Sequence, residues 1–294
     1  MKICEQRTVI ITGAGGGLGR AYALAFAEAG AQVVVNDIRL DAAQEVADTI
    51  AAAGGQALAN GGDIVTMRGA QDIVAQAIAR FGDVHVLVNN AGNLRDRMFV
   101  SMDDEDWDEV MRVHLRGHFC LSNTLARHWR DRKKAGASVD ARIINTSSGA
   151  GLQGSVGQSN YSCAKAGIAA LTLVQAAELR RYDISVNALA PAARTAMTQS
   201  TQAMAARVQV PTDDSFDFWD PANVASLVVF LGSPLSAHIT GRVFEASGGQ
   251  VSLSDGWRVG ALRDKGARWD PAELGPVIDA LIAEAATPQP VYGA

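Results

Sequence analysis

Short runs of β-branched residues alternate along this chain with longer alanine-rich stretches, and that alternation restricts the fold more than any other feature. A strand, a helix and a further strand in succession pack as a parallel sheet with crossover helices on its faces. The first run is Thr8 to Thr12; a glycine cluster follows, then a helical stretch from Leu18 to Ala29 that Gly30 stops. Gln32 to Asn36 reads as the second strand, and Asp41 as the N-cap of a helix ending at Gly54 and Gly55. Gln56 to Asn60, Val84 to Val88, Arg142 to Thr146, Ile184 to Leu189 and Val243 to Ala246 read as further strands. Further helices are expected after the third strand, running to Phe81 and Gly82, over roughly Asp104 to Arg132, and from about Asn160 to Arg181. A length of 294 residues, 48% of them hydrophobic and few of them aromatic, suits helices packed closely on such a sheet.

Residues 1–250 are expected to form one domain, with a polar, poorly patterned stretch at about 195–221 placed as a movable cover over the substrate. Residues 251–294 read as a C-terminal extension holding a helix from Pro271 to Ala285 and an extended tail marked by Pro288 and Pro290. The net charge of −5 and the scattered basic residues argue against nucleic-acid binding. The densest basic cluster, Arg127 to Lys134, reads as the solvated end of a helix. No run is long enough for a membrane span or a signal-peptide core. Cys4, Cys120 and Cys163 lie too far apart for a zinc or redox pair, so no metal is expected and the chain reads as reduced and cytoplasmic.

Two regions carry chemistry. Between the first strand and the first helix, Gly13, Gly15, Gly16, Gly17, Leu18 and Gly19 form a loop whose backbone can approach a pyrophosphate, with the helix N-terminus supplying N–H donors. A glycine-rich turn that merely joins strand to helix is the plain alternative. Asp37, at the end of the second strand, favours the cofactor reading. A carboxylate there accepts the ribose hydroxyls of an adenosine and repels a 2′-phosphate, which selects NAD(H) over NADP(H). Asp63 and Ile64 follow the third strand, where they can meet an adenine edge; Asn90, Ala91 and Gly92 end the fourth, where small residues let a flat ring lie on the backbone. Each also reads as an ordinary loop. The second region is Tyr161 and Lys165, one helical turn apart, with Ser148 at the end of the fifth strand. A phenol ordinarily titrates near 10, and an ammonium close by would favour its phenolate, making Tyr161 a usable proton donor and acceptor for an alcohol.

In order and spacing, Thr12 to Gly19, Asn89 to Gly92, Ser148 and Tyr161 to Lys165 resemble the short-chain dehydrogenase/reductase family, over roughly residues 5 to 250. The resemblance implies an α/β fold, doubly wound, with a Rossmann-type parallel sheet of about seven strands. It implies that Tyr161 is the general acid/base, that Lys165 binds the nicotinamide ribose and lowers the Tyr161 pKa, and that Ser148 orients the substrate. Tyr161 and Lys165 thereby also count among the cofactor contacts, with Pro191, Ala193 and Thr195 past the sixth strand meeting the nicotinamide end. Two departures stand out. His114 occupies the slot where the family usually has a fourth catalytic residue, Asn; it either hydrogen-bonds a relay water or fills space in the helix. Ala192 stands where a glycine usually follows the proline.

The His114 segment, the approach to Tyr161 from Gln158, the stretch from Ala190 to Thr198 and the extended tail resemble more narrowly the dehydrogenase part of the peroxisomal multifunctional β-oxidation enzymes and their single-domain bacterial relatives. That implies a 3-hydroxyacyl-CoA or steroid-derived substrate and a homodimer or homotetramer. Met197, Met204, Val208, Phe216, Phe218 and Trp219 either line an apolar pocket or pack the cover onto the core. A 3-oxoacyl-carrier-protein reductase, which would prefer NADPH, and a non-catalytic nucleotide-sensing scaffold are the rival readings.

Overall fold

The computed structural model describes residues 2–199 and 202–293. Its elements in chain order are β1 (Thr8–Thr12), α1 (Gly17–Glu28), β2 (Gln32–Asn36), α2 (Leu40–Ala52), β3 (Gln56–Asn60), α3 (Met67–Phe81) and β4 (Val86–Asn89). Then come α4 (Asp104–Met111), a π-helical turn (Arg112–Arg116), α5 (Gly117–Lys134), β5 (Ala141–Thr146), α6 (Gly149–Gln153), α7 (Ser159–Leu179) and β6 (Ile184–Pro191). The chain closes with α8 (Gln202–Arg207), α9 (Pro221–Gly232), β7 (Val243–Ser247), β8 (Gln250–Ser254) and α10 (Leu274–Glu284). The strands form one sheet in the order β3-β2-β1-β4-β5-β6-β7-β8. The seven parallel strands match the expected sheet; β8 is an antiparallel edge strand that turns back on β7.

Alternation along the strands sends side chains to opposite faces and so builds two cores. Val9 and Ile11 of β1 join Val33 and Val35 under α1 and α9, against Tyr22, Phe26 and Val228. Ile10 and Val34 face the other way, with Leu87 and Ile143, under Ile73, Leu121, Leu125 and Trp129. Each such aliphatic residue, fully buried, contributes about 1.5–3 kcal/mol, enough to fix register because a one-residue slip would expose the whole set. Covered on both faces, the sheet is doubly wound.

Asp41 is not a helix cap. The helix begins one residue earlier, at Leu40, and Asp41 lies within its first turn. The carboxylate that accepts an N–H there belongs to Asp37, whose Oδ1 takes the Arg39 N–H at 3.0 Å. Asp41 still favours the helix through its charge near the N-terminus. The long helix expected over Asp104 to Arg132 is continuous in direction but carries the π turn, which adds a residue to one turn. Beyond Ser254 no described residue is buried, and Trp257 and Val259 are fully exposed. The tail nonetheless returns to the body: Tyr292 bridges Ser155, and the Val156 N–H donates to the Tyr292 carbonyl at 2.9 Å.

Candidate active site

The strand order reverses between β1 and β4, and in open parallel sheets a crevice opens at the carboxyl ends of the strands at such a switch point. Here a cleft of about 660 Å³ runs from Asp37 and Ile38 past Gly13, Gly17 and Asn90 to Ser148, Tyr161 and Lys165.

At its first end, close backbone packing fixes the shape. A Cβ on Gly13 would sit 2.8 Å from Ala91 Cα, and one on Gly19 would sit 2.2 Å from the Gly13 carbonyl oxygen. Gly13 and Gly17 also hold positive φ, at 62° and 50°, which side chains disfavour. The loop is tied down from β4: Thr12 Oγ1 accepts the N–H groups of Asn90 (2.9 Å) and Ala91 (3.0 Å), and Asn90 Nδ2 donates to the Thr12 carbonyl. Gly16 caps α1 without a side-chain hydrogen bond, which leaves the first-turn N–H groups open to the cleft as anion donors. Asp37 Oδ2 accepts the Gly15 N–H at 3.0 Å, so the acid at the end of β2 is joined to the glycine loop itself. A glycine-walled cradle, an uncapped helix N-terminus and a carboxylate about a strand away fit an adenine dinucleotide. Asp63, Ile64, Gly92, Pro191, Ala193 and Thr195 line the same cleft, with the Thr195 methyl 3.3 Å from the Cβ position of Gly17.

At the other end, side chains decide. Ser148 leaves the end of β5 and caps α6, its Oγ accepting the Ala150 N–H at 3.2 Å, and its hydroxyl faces the Tyr161 phenol, where it favours the phenolate. Lys165, one turn along α7, is buried and donates from Nζ to the Thr146 carbonyl at 2.6 Å. Burial pushes its pKa down to about 7. Lys165 is not among the groups that shift the Tyr161 pKa. The ammonium lies over the ring, 5.5 Å from its centroid, and not against the oxygen. Burial dominates and raises the Tyr161 pKa, opposed by the Ser148 hydroxyl and aided by the Asp96 charge.

His114 is fully buried and meets Tyr161 edge-on, the ring centroids 5.2 Å apart. Its Nε2 lies 2.8 Å from the Asn93 carbonyl oxygen and 3.1 Å from the Asn93 nitrogen. Burial, with the Lys165 charge second, lowers its pKa to about 3, so the ring is neutral. It lines the cleft behind Tyr161. Sequence reasoning passed over a second imidazole, His118, one turn further on. It is buried outside the cleft, between the His114 carbonyl and the Thr146 N–H. Its one signal was a second histidine at helical spacing from the first.

Of the two readings of the apolar residues in the cover, the described ones favour packing over a pocket. Met197 borders the cleft, but Val208 is buried, Phe216 is exposed, and Phe218 packs on Gly248 and edge-on to Trp219. The Met204 side chain lies outside the described residues. The base of the cover is pinned by Arg194, whose guanidinium pairs with Asp217 and whose N–H donates to the Trp219 carbonyl at 2.7 Å. The three cysteines are free, Cys4 and Cys120 buried and Cys163 exposed. No helix among the described residues is long and apolar enough to cross a membrane.

The profile of the short chain dehydrogenase family matches residues 7–206. The chain is 46% identical over 276 residues to the hydroxyacyl-CoA dehydrogenase ChsB1 of Mycobacterium tuberculosis, covering 91% of this chain and 86% of that protein. It is 41% identical over 268 residues to the mouse peroxisomal multifunctional enzyme type 2, covering 88% of this chain and a third (33%) of that much longer protein. A crystal structure of a short chain dehydrogenase from Mycobacterium avium superposes with a TM-score of 0.91 at 52% identity, over 99% of this chain and all of that one.

Proposed function

The chain belongs to the short-chain dehydrogenase family and is an oxidoreductase, and from that premise we propose that it uses NAD(H) to interconvert the hydroxyl and ketone of a 3-hydroxyacyl-CoA thioester, in lipid or steroid catabolism. The observation that carries the chemistry is the meeting of Ser148, Tyr161 and a buried Lys165, one helical turn from Tyr161, at the head of one glycine-walled cleft. The substrate class rests on the names of the relatives, ChsB1 above all.

A bound dinucleotide supplies the hydride acceptor or donor; the chain's own task is the proton. Ser148 Oγ holds the substrate oxygen. In the oxidative direction Tyr161 Oη takes the hydroxyl proton, and in the reductive direction it returns one. Lys165 places a cation over the Tyr161 ring, where it faces the charge that the residue gains as phenolate. Its own pKa near neutrality makes that cation responsive to pH. His114, neutral and edge-on, fixes the Tyr161 ring and excludes water from behind it. Gly13, Gly15, Gly16, Gly17, Leu18 and Gly19 hold the pyrophosphate and Asp37 the adenosine ribose. Asp63 and Ile64 flank the adenine. Asn90, Ala91, Gly92, Pro191, Ala193 and Thr195 line the nicotinamide half.

Asp37 supports NAD(H), since its carboxylate would repel a 2′-phosphate. The exposed Arg39 beside it, 3.8 Å from Oδ1, keeps NADP(H) as the second reading, and with it a carrier-protein reductase. Exposed apolar residues on α5 and α7, Phe119, Leu173 and Val174, support a homodimer or homotetramer, and the sparse cysteines a cytoplasmic place. The test is absorbance at 340 nm, pairing NAD(H) and NADP(H) with a 3-hydroxyacyl-CoA, a hydroxysteroid and a carrier-protein thioester. Turnover of the CoA thioester with NAD⁺ is expected. A preference for NADPH and carrier protein would overturn both halves of the proposal, and binding without any turnover would leave a nucleotide-sensing scaffold.

A further inference from the structure

We propose that His118 is a positioning residue: its imidazole joins the π turn to the last residue of β5 and so holds the peptide on which Lys165 is seated. The inference rests on the proposed function only in giving Lys165 a role in turnover.

His118 Nδ1 lies 2.7 Å from the His114 carbonyl oxygen, which can only accept, so the proton sits on Nδ1. Nε2 is then bare and accepts the Thr146 N–H at 3.3 Å. Both ring nitrogens are spent on backbone, one on each side of the gap between helix and strand. Thr146 turns its N–H to His118 and its carbonyl to Lys165 Nζ, 2.6 Å away. The imidazole thus acts on Lys165 through a single residue without lining the cleft.

The surroundings explain why a neutral ring suits the place. Lys165 is 2% exposed, and no carboxylate pairs with it among the described residues. What faces it is the Tyr161 ring on its own helix, His114 and His118 from the helix opposite, and the Thr146 carbonyl from the strand; Asp96, on the loop after β4, acts on Tyr161. Burial and the Lys165 charge hold the His118 pKa well below its ordinary value, so the ring adds no second cation. A side chain that only filled this space would have no need of two hydrogen bonds to two different backbone segments.

The experiment uses the full chain with His118→Ala, which leaves a cavity, and His118→Leu, which fills it without hydrogen bonds. The expected result is a kcat loss of about 100-fold in both variants, the size a displaced reacting group produces. Substrate KM should stay unchanged. Added imidazole should restore His118→Ala, and thiophene, of like size but apolar, should not. Water admitted to Lys165 in His118→Ala should raise its pKa and move the matching limb of the kcat–pH profile upward. Full activity in His118→Leu, or equal rescue by thiophene, would overturn the proposal and leave His118 as packing. If the wild-type chain turns over no secondary alcohol, the proposed function fails. The inference is then read from an NMR titration of Lys165, where an unshifted pKa in both variants overturns it and a raised one upholds it.

Discussion

The two ends of the cleft keep their shape by opposite means. At the glycine loop, backbone lies on backbone, and there is no room for one further carbon at Gly13 or Gly19. At the Tyr161 end, the shape depends on polar atoms held inside the protein: a buried ammonium, two neutral imidazoles and a serine that caps a helix with the oxygen it turns to Tyr161. One end is therefore damaged by adding an atom, the other by removing one. The first should answer in affinity and the second in rate.

The sharpest way to break that contrast is Tyr161→Phe, which removes only Oη. A kcat loss of about 10³-fold is expected, the middle of the range for a general acid/base, with NADH affinity by fluorescence titration unaltered. A loss of affinity instead would mean that the two ends are not separable. Next comes Gly19→Val, whose Cβ would fall 2.2 Å from the Gly13 carbonyl oxygen. Overpacking of about 3 kcal/mol should weaken NADH binding by roughly 100-fold, measured by the same titration.

The third effect is on stability. Unfolded His114 takes a proton near 6.5, whereas native His114 does so only at about 3. Between those values the unfolded chain binds more protons, so stability is full above about 6.5 and falls as pH falls toward 3. From pH 6.5 to pH 5 this one residue should cost about 2 kcal/mol, and the buried His118 pulls in the same direction. Urea unfolding at the two pH values measures it, and His114→Asn should flatten the slope. Lys165 extends the trend: its folded pKa of about 7 lies below the unfolded 10.5, so stability goes on rising with pH across that window. The smallest expected effect is Asp37→Asn. Removing the carboxylate should shift the NADPH-to-NADH preference by about tenfold, the worth of one charge-assisted hydrogen bond, read from kcat/KM with each dinucleotide. No shift would leave the choice to Arg39.

What could be read from the sequence follows the same division. Strands β1 and β2 lie at the bounds their residues indicate, because β-branched runs edged by turn residues leave little freedom; β3, with no β-branched residue, also lies at its expected bounds, between Gly55 and Gly61. The glycine loop was legible because steric demands are written in residue identity. The polar end was less so. Its residues were identified, but the sign of the Tyr161 shift was not, since burial outweighs the effect of Ser148 and the ammonium sits over the ring, away from the oxygen. Nor was His118 singled out, because its meaning lies in two backbone groups far from it in sequence. Edge strand β8 escaped because Gln250 to Ser254 alternates over a few mostly exposed residues and buries almost nothing. Asp41 misled for a local reason: a good capping residue stood one position inside a helix whose start another acid had already set.

The π turn between α4 and α5 shifts the phase of everything after it. One additional residue advances an α-helix by about 100°, so the face that α5 presents is not the continuation of the face that α4 presents. His118 looks toward the strand ends because of that offset. Deleting one residue within 112–116 would give a more regular helix with better hydrogen bonds, yet would swing His118 and all of α5 about a quarter-turn away. An ordinary helix loses stability when shortened; this one would be repaired by the deletion and would lose its aim.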